Sequence, residues 1–514
     1  MTNKRDDGGP TSQGHRIGGV IDRSSRVGKE QKLAMEMAVH DFHDDDQMST
    51  SSYKLVLHLV DSYGNSAQAL SAAIDLIDRK EAEAIVGPLS LHEASVVCEL
   101  NNVTKDIPII SIAPTAISPP LLPPQPPFFI QMSNDVATHM HCIAAIVGHF
   151  GWRKVTAIYE QSTRLSTDSG LIIHLSDSLR AVDSVVERHI GIPPISSLTN
   201  PRLFIEEELK KLRSKSNRVF ILIQSSLDFA AILFEKAKQM GMMGKGYVWI
   251  VSDDIASLLD SVGPSVISNM QGVIGLKTNF IDTTESYRQF RIRFRRNFTS
   301  EHPEEEEHPD PSIFALRAYD ATWAIAKAMQ ISQRERKPKG LVNHILSSDF
   351  EGLSGRIRFN KGRLSELPTF RIINVIGKSY REVAFWSLVF GFSEDFIKQD
   401  EMKKRIGNGL VGDLDSIYWP GRERTVPKGW SLGEGETRLK IGVPARGAFT
   451  QFVNVWYDPS RNKTKVTGFS IEVFKAAVKR LRYDLSYVFV PWNGSYDEMV
   501  AEVHKKAQMV QMFD

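Results

Sequence analysis

The feature that most limits the fold is a repeated exchange of two periods, short apolar runs alternating with helical stripes. RIGGVID from Arg16 reads as a strand, and Gly28 to Phe42 as a helix with Leu33, Met37, Ala38 and Phe42 on one face. KLVLHLVD, then helix Ser66 to Arg79, then the buried strand EAIVGP and PIISIAP continue the rhythm. It resumes after Asn134 with a helix to His149, KVTAIYE, helix Asp168 to Arg180, SVVERHI, helix Pro201 to Arg213, RVFILIQ, helix Leu227 to Met240 and YVWIVSD. Strands alternating with helices of this length imply right-handed crossovers and parallel sheets. The expected class is α/β, with two doubly wound lobes near 15–130 and 131–250.

Length and charge narrow the function classes. With 514 residues the chain has room for about three domains. Lys and Arg number 63 against 61 Asp and Glu, a net charge of +2 with both signs dispersed, so no basic stripe points to nucleic acid. No window approaches 18 apolar residues, and the polar start MTNKRDDGGPTSQGHR carries no leader-like apolar run, so neither a membrane span nor a signal peptide is expected. Cys98 and Cys142 permit one disulfide at most and read as two buried thiols, with no Cys or His spacing for zinc. Glycosylation sequons stand at Asn102, Asn297, Asn462 and Asn493.

Catalytic motifs are missing in usable contexts. Gly407, Gly409 and Gly412 satisfy GxGxxG but follow a polar helix-like run instead of a strand, and Gly377, Lys378 and Ser379 lack the loop glycine of a P-loop. SPPLLPPQPPF at 118–128 reads as a stiff extended loop, and Glu304 to Glu307 as a solvated one. The chain is therefore expected to be no enzyme and to need no cofactor or metal. Two α/β lobes joined by crossovers form a cleft at the carboxyl ends of their strands, and hinge closure on a small ligand is the matching mechanism.

Several long blocks are specific. RVFILIQ, FEKAKQMGMMGKGYVWIVSDD, ISNMQGVIGLK, RAYDATWAIAKAM, GLSGRIRFNKGRL and YWPGRERTVPKGW resemble the amino-terminal domain of plant glutamate receptor-like channels. LKIGVPARGAFTQFV and VTGFSIEVFKAAVKRLRYDLSYVFVPWNGSYDEMV are similar to the first segment of that family's agonist-binding domain. The resemblance covers roughly residues 15–506. It implies a bilobed domain of the type I periplasmic-binding kind followed by an incomplete type II clamshell, in a ligand-gated ion channel at the plasma membrane. Ser470 and Glu472 stand where the family's helix usually has Cys and Asp, and the arginine that pairs with the agonist's carboxylate is missing, so HKKAQMVQMFD closes a partial module.

The expected division is a flexible tail to residue 14, lobe 1 at about 15–130 and 253–335, lobe 2 at about 131–252 and 336–392, a linker at 393–436, and the partial module at 437–514. Candidate ligand contacts are the strand-end loops. In lobe 1, Gly87 to Ser90 and Ser111 to Thr115, with Ser90, Ser111, Ala113 and Thr115, offer N–H and hydroxyl groups to an amino acid's carboxylate. In lobe 2, Tyr159 and Glu160 suit an ammonium group, and Gln224, Ser225, Asp253 and Asp254 end two further strands. Arg446 and Phe449 are candidates in the partial module. Homo- or hetero-oligomers with other receptor subunits are the expected partners, and a soluble amino-acid-binding protein without a channel is the alternative.

Overall fold

The computed structural model of the chain describes residues 14–44, 54–88, 90–97, 100, 107–113, 115–116, 127–161, 165–305, 309–334, 340–394, 414, 417–431, 439–445, 449–458, 463–480, 485, 487–506 and 509–511. The expected flexible tail, most of the polyproline loop, Cys98 and the Gly407–Gly412 motif lie outside them.

Local chemistry sets the elements. Helix Ser66–Asp78 begins where the Asn65 side chain accepts from the N–H groups of Ala67 and Gln68 at 2.9 and 3.3 Å. Helix Val136–Phe150 ends at Gly151, whose φ of 70° is open to glycine without a Cβ penalty. Central strands such as Val219–Leu222 and Val248–Val251 are buried throughout, as strands covered by helices on both faces must be.

Two eight-stranded sheets result. The first runs Asp349–Glu351, Arg356–Asn360, Arg363–Leu364, Phe129–Gln131, Ile109–Ser111, Ala84–Val86, His15–Ile21, Leu55–Asp61, parallel from Arg363–Leu364 onward. The second runs Gly391–Ser393, Ser379–Ser387, Thr369–Ile376, Ile274–Thr278, Val248–Val251, Val219–Leu222, Lys154–Glu160, Val185–Ile192, with the three strands of 369–393 antiparallel. Each lobe buries its own apolar layers: Phe290, Phe294, Phe298 and Leu316 lie under the first sheet, Phe220, Phe234 and Trp249 under the second.

The pairings redraw the lobe limits. Residues 253–278 belong to lobe 2, because Ile274–Thr278 hydrogen-bonds to Val248–Val251, and 349–364 belong to lobe 1 through the Arg363–Gln131 pairing. The chain therefore passes between lobes after Gln131, after Thr278 and after Leu364. Hydrophobic period alone shows where a strand is, not which sheet it joins.

The expected linker is also corrected. Residues 417–431 lie on lobe 2 as a strap, with Leu414, Ile417 and Trp419 buried in its core. The Trp152 indole donates to the Pro427 carbonyl at 2.8 Å, Asn374 both donates to and accepts from the Tyr418 backbone, and Arg218 N–H donates to Gly429. Its Gly and Pro residues suggest looseness, yet Gly429 is present because a Cβ would come 2.6 Å from the Trp152 ring. The Glu304 and Glu305 loop is likewise anchored, by Lys29 and Arg26.

The C-terminal module has a parallel sheet in which Leu439–Pro444 lies between Tyr487–Trp492 and Met509–Gln511. Its core is small, Ile441, Val443, Val453, Val466 and Ile471, and helix Phe469–Lys479 leaves Phe469 and Val473 exposed. Among the described residues no helix is long and apolar enough to cross a membrane.

Candidate functional site

Parallel strands deliver their carboxyl ends to one edge of each sheet, and the loops there are the rims where an α/β fold of this kind holds a ligand. In lobe 1, Gly87 follows Ala84–Val86 with φ 109°, and a Cβ would meet the Val20 carbonyl at 2.4 Å, so the loop hugs the next strand. It leads to Ser90, which caps helix Leu91–Val97: Ser90 N–H donates to Glu93 Oε2 at 2.9 Å while Ser90 Oγ accepts from Glu93 N–H at 3.1 Å. Burial pushes the Glu93 carboxyl up, opposed by the hydroxyls of Ser62 and Ser90. On the adjoining strand, Ser111 is buried and its Oγ accepts from Ala113 N–H at 3.4 Å. Thr115–Ala116 pairs with Asn134–Asp135 at the first interlobe passage.

In lobe 2, Tyr159 stacks on His189 with ring centroids 6.4 Å apart. Glu160 beside it is buried and accepts from Ser226 N–H; burial raises its carboxyl, and Ser226 holds the rise back. The Gln224 carbonyl accepts from Glu160 N–H at 3.2 Å, and Ser225 N–H donates to Asp254 Oδ2 at 2.6 Å. Burial and the neighbouring Asp253 push Asp254 up to about 6 against the pull of Ser252 and Ser225. Glu160, Gln224, Ser225 and Asp254 are thus gathered into one rim.

Asp253 is not part of that rim. Fully buried, it accepts from Thr278 N–H at 2.6 Å, from the Thr278 and Ser257 hydroxyls, and faces His139 Nε2 at 3.5 Å. Burial alone would raise its carboxyl, but His139, the charge of buried Arg317 and Ser257 bring it down to about 2. Thr278 also accepts from Asn134 Nδ2 at 2.8 Å. Asn134 and Thr278 stand at two interlobe passages and Arg317 is on lobe 1 helix Ile313–Arg334, so this network is the hinge. The expected ligand contact is therefore corrected: buried Asp253 has both carboxylate oxygens hydrogen-bonded within the hinge.

Sequence reasoning missed Tyr63, Ser62, Glu93, His139 and Arg317. Tyr63 stands in the turn after the strand Leu55–Asp61, 70% exposed, with φ 51°. The run DSYGN is a turn signal, but it does not show which residue takes the left-handed backbone. Tyr63→Gly removes that strain and is expected to raise unfolding free energy by about 0.5–1 kcal/mol, read from urea midpoints; an unchanged or lower midpoint refutes it.

Phe449 is exposed in the C-terminal module, apart from both rims, and Arg446, Asn102 and Asn462 lie outside the described residues. Asn297 is half-buried on helix Glu285–Glu301, and Asn493 is exposed after a strand. Cys142 is buried in a helix, where desolvation raises its thiol. Among the described residues no cluster of His, Cys, Asp or Glu is arranged to hold a metal.

A family model described as receptor family ligand binding region matches residues 30–378, which span both lobes and the hinge. The chain belongs to this receptor ligand-binding family. Its sequence relatives are plant glutamate receptors, and it is glutamate receptor-like: glutamate receptor 2.2 of Arabidopsis thaliana is 32% identical over 521 residues, 95% of this chain and 54% of the relative. Glutamate receptor 2.4 of the same plant is 33% identical over 499 residues, 93% and 53%. The chain spans about half the length of these relatives.

Solved structures share the bilobed fold of this receptor region. A leucine-binding protein, LivK, of Thermotoga maritima aligns with TM-score 0.56 and 14% identity over 72% of this chain and 98% of its own. LivJ of Streptococcus pneumoniae, solved with isoleucine, aligns with TM-score 0.55 and 14% identity over 73% and 99%. The expected type I periplasmic-binding architecture is the one observed.

Proposed function

We propose that this chain is the extracellular ligand-binding and assembly region of a plasma-membrane glutamate receptor-like subunit. The observation that carries this reading is the pair of sheets whose carboxyl ends meet at one buried hinge. In it, the cleft takes a small amino acid and performs no chemistry on it. Ser90, Ser111, Ala113 and Thr115 border the α-carboxylate, with the Ser111 hydroxyl as the donor, since a hydroxyl holds a carboxylate by a charge-assisted hydrogen bond. Tyr159, Glu160 and Gln224 serve the ammonium end, an aromatic face and a carboxylate being suited to a cation. Two nearby cations are already committed, Arg371 to Asn279 and Glu382, and Lys277 to Asp260. Closure about Asn134, Asp253 and Thr278 brings the rims together. Arg446 and Phe449 belong to the C-terminal module, as contacts of an agonist bound there when its clamshell is complete.

Calorimetric titration of the full chain with the common amino acids tests the reading. One class of amino acid is expected to bind, with Glu160→Gln weakening it about tenfold, roughly 1.4 kcal/mol. Heat from no member of the panel overturns ligand binding and leaves assembly with sibling subunits. The second reading, a free-standing amino-acid binder, is supported by the isoleucine-bound LivJ fold; co-purification with full-length relatives would decide against it.

A further inference from the structure

The first sheet has a second recess, at the opposite end of its strands from the cleft. Arg16 pairs with Val56 and Gly18 with His58 in parallel register, so Gly14, Arg16 and Gly18 share a sheet face with Lys54, Val56 and His58. Helix Ser66–Asp78 covers the upper part of that face, where a Cβ on Gly18 would press on Leu76 at 3.1 Å. The helix stops at Arg79, and beyond it the face is open. The result is a recess of about 380 Å³ lined by Gly14, Arg16, Lys54, His58, Arg79 and Lys80, together with Val56. That volume lies within the range of small-molecule sites.

Its walls are basic. Arg16 is answered by Glu81, Arg79 by Asp75 at 3.3 Å, and Glu83 faces His15. Among the described residues neither Lys54 nor Lys80 is in an ion pair, so two exposed lysines from different elements border a hollow that no Asp or Glu lines. An anion in the hollow would gain from that excess of positive charge. Strand length separates this place from the cleft by roughly 20 Å.

We propose that this recess binds a small multivalent oxyanion, a phosphate ester or a polycarboxylate, independently of the cleft. Lys54, at the start of the edge strand Leu55–Asp61, would also serve to block strand addition, and the experiment separates the two roles. The full chain is titrated calorimetrically at low ionic strength with inorganic phosphate, citrate and acetate, beside the Lys54→Glu/Lys80→Glu double variant, whose fold is checked by circular dichroism. Saturable binding of phosphate or citrate, with none of acetate, is expected, and the double variant weakens it at least tenfold. Binding that fades as salt is raised supports a charge-held ligand. Phosphate binding more tightly than citrate identifies the ester, and the reverse identifies the polycarboxylate. No saturable binding, or equal binding by the folded double variant, overturns the site and leaves Lys54 as edge protection.

Discussion

Replacing Asp253 with Ala is expected to lower the unfolding free energy by about 3–5 kcal/mol, because it strips a buried charge of its partner. The Arg317 side chain, 2% exposed, loses the carboxylate that offsets its burial, and the donors of Thr278 and Ser257 lose their acceptor. The effect has a pH signature. Held at about 2 in the folded chain against about 3.9 in an unfolded one, the Asp253 carboxyl contributes stability in full above pH 4. That contribution drains away as pH falls from about 4 towards 2. Asp253→Asn should flatten this part of the acid limb. Urea unfolding at pH 7 and pH 3 measures both; a loss below about 1 kcal/mol for Asp253→Ala would show the hinge to be held by other contacts.

Trp419→Ala should cost lobe 2 about 3–5 kcal/mol, the usual range for emptying a buried aromatic site. Its ring is 2% exposed and meets Phe150 and Trp152 edge-on with centroids 5.0 and 5.6 Å apart. The backbone there cannot close the hole easily, since Gly272 is so near that a Cβ would come 2.4 Å from the Trp419 carbonyl carbon. Differential scanning calorimetry should show the melting temperature falling by roughly 10 °C. A fall under about 2 °C would mean the strap is dispensable to lobe 2 and merely tethers the next module.

The two results address different kinds of contact. The hinge is polar and buried, so its cost comes from orphaned groups; the strap is aromatic, so its cost comes from lost packing. The ligand rims are cheaper to change than either, because their small polar side chains each carry one or two hydrogen bonds. Serine and glutamine substitutions there should leave folding nearly intact while altering affinity.

Most of the fold was legible in residue order. The strand KVTAIYE is observed as Lys154–Glu160, and helix Pro201–Arg213 occupies the expected residues, because apolar period and capping are local properties. The rims were legible in part. Ser90, Tyr159, Glu160 and Gln224 end or follow strands, and strand ends are local too. Tyr63 was not, since its exposure and left-handed backbone depend on how a turn is held by Asp61.

By itself the sequence determined the α/β alternation, the two lobes and the receptor resemblance, each carried by neighbours within some thirty residues. Only the tertiary structure decided which sheet 253–278 and 349–364 join, that 417–431 is a strap, and that Asp253 orders the hinge while Asp254 faces the rim. The reason is common to all three: sheet edges, buried partners and desolvation are made by residues tens to hundreds of positions apart, and no local pattern records which of them meet.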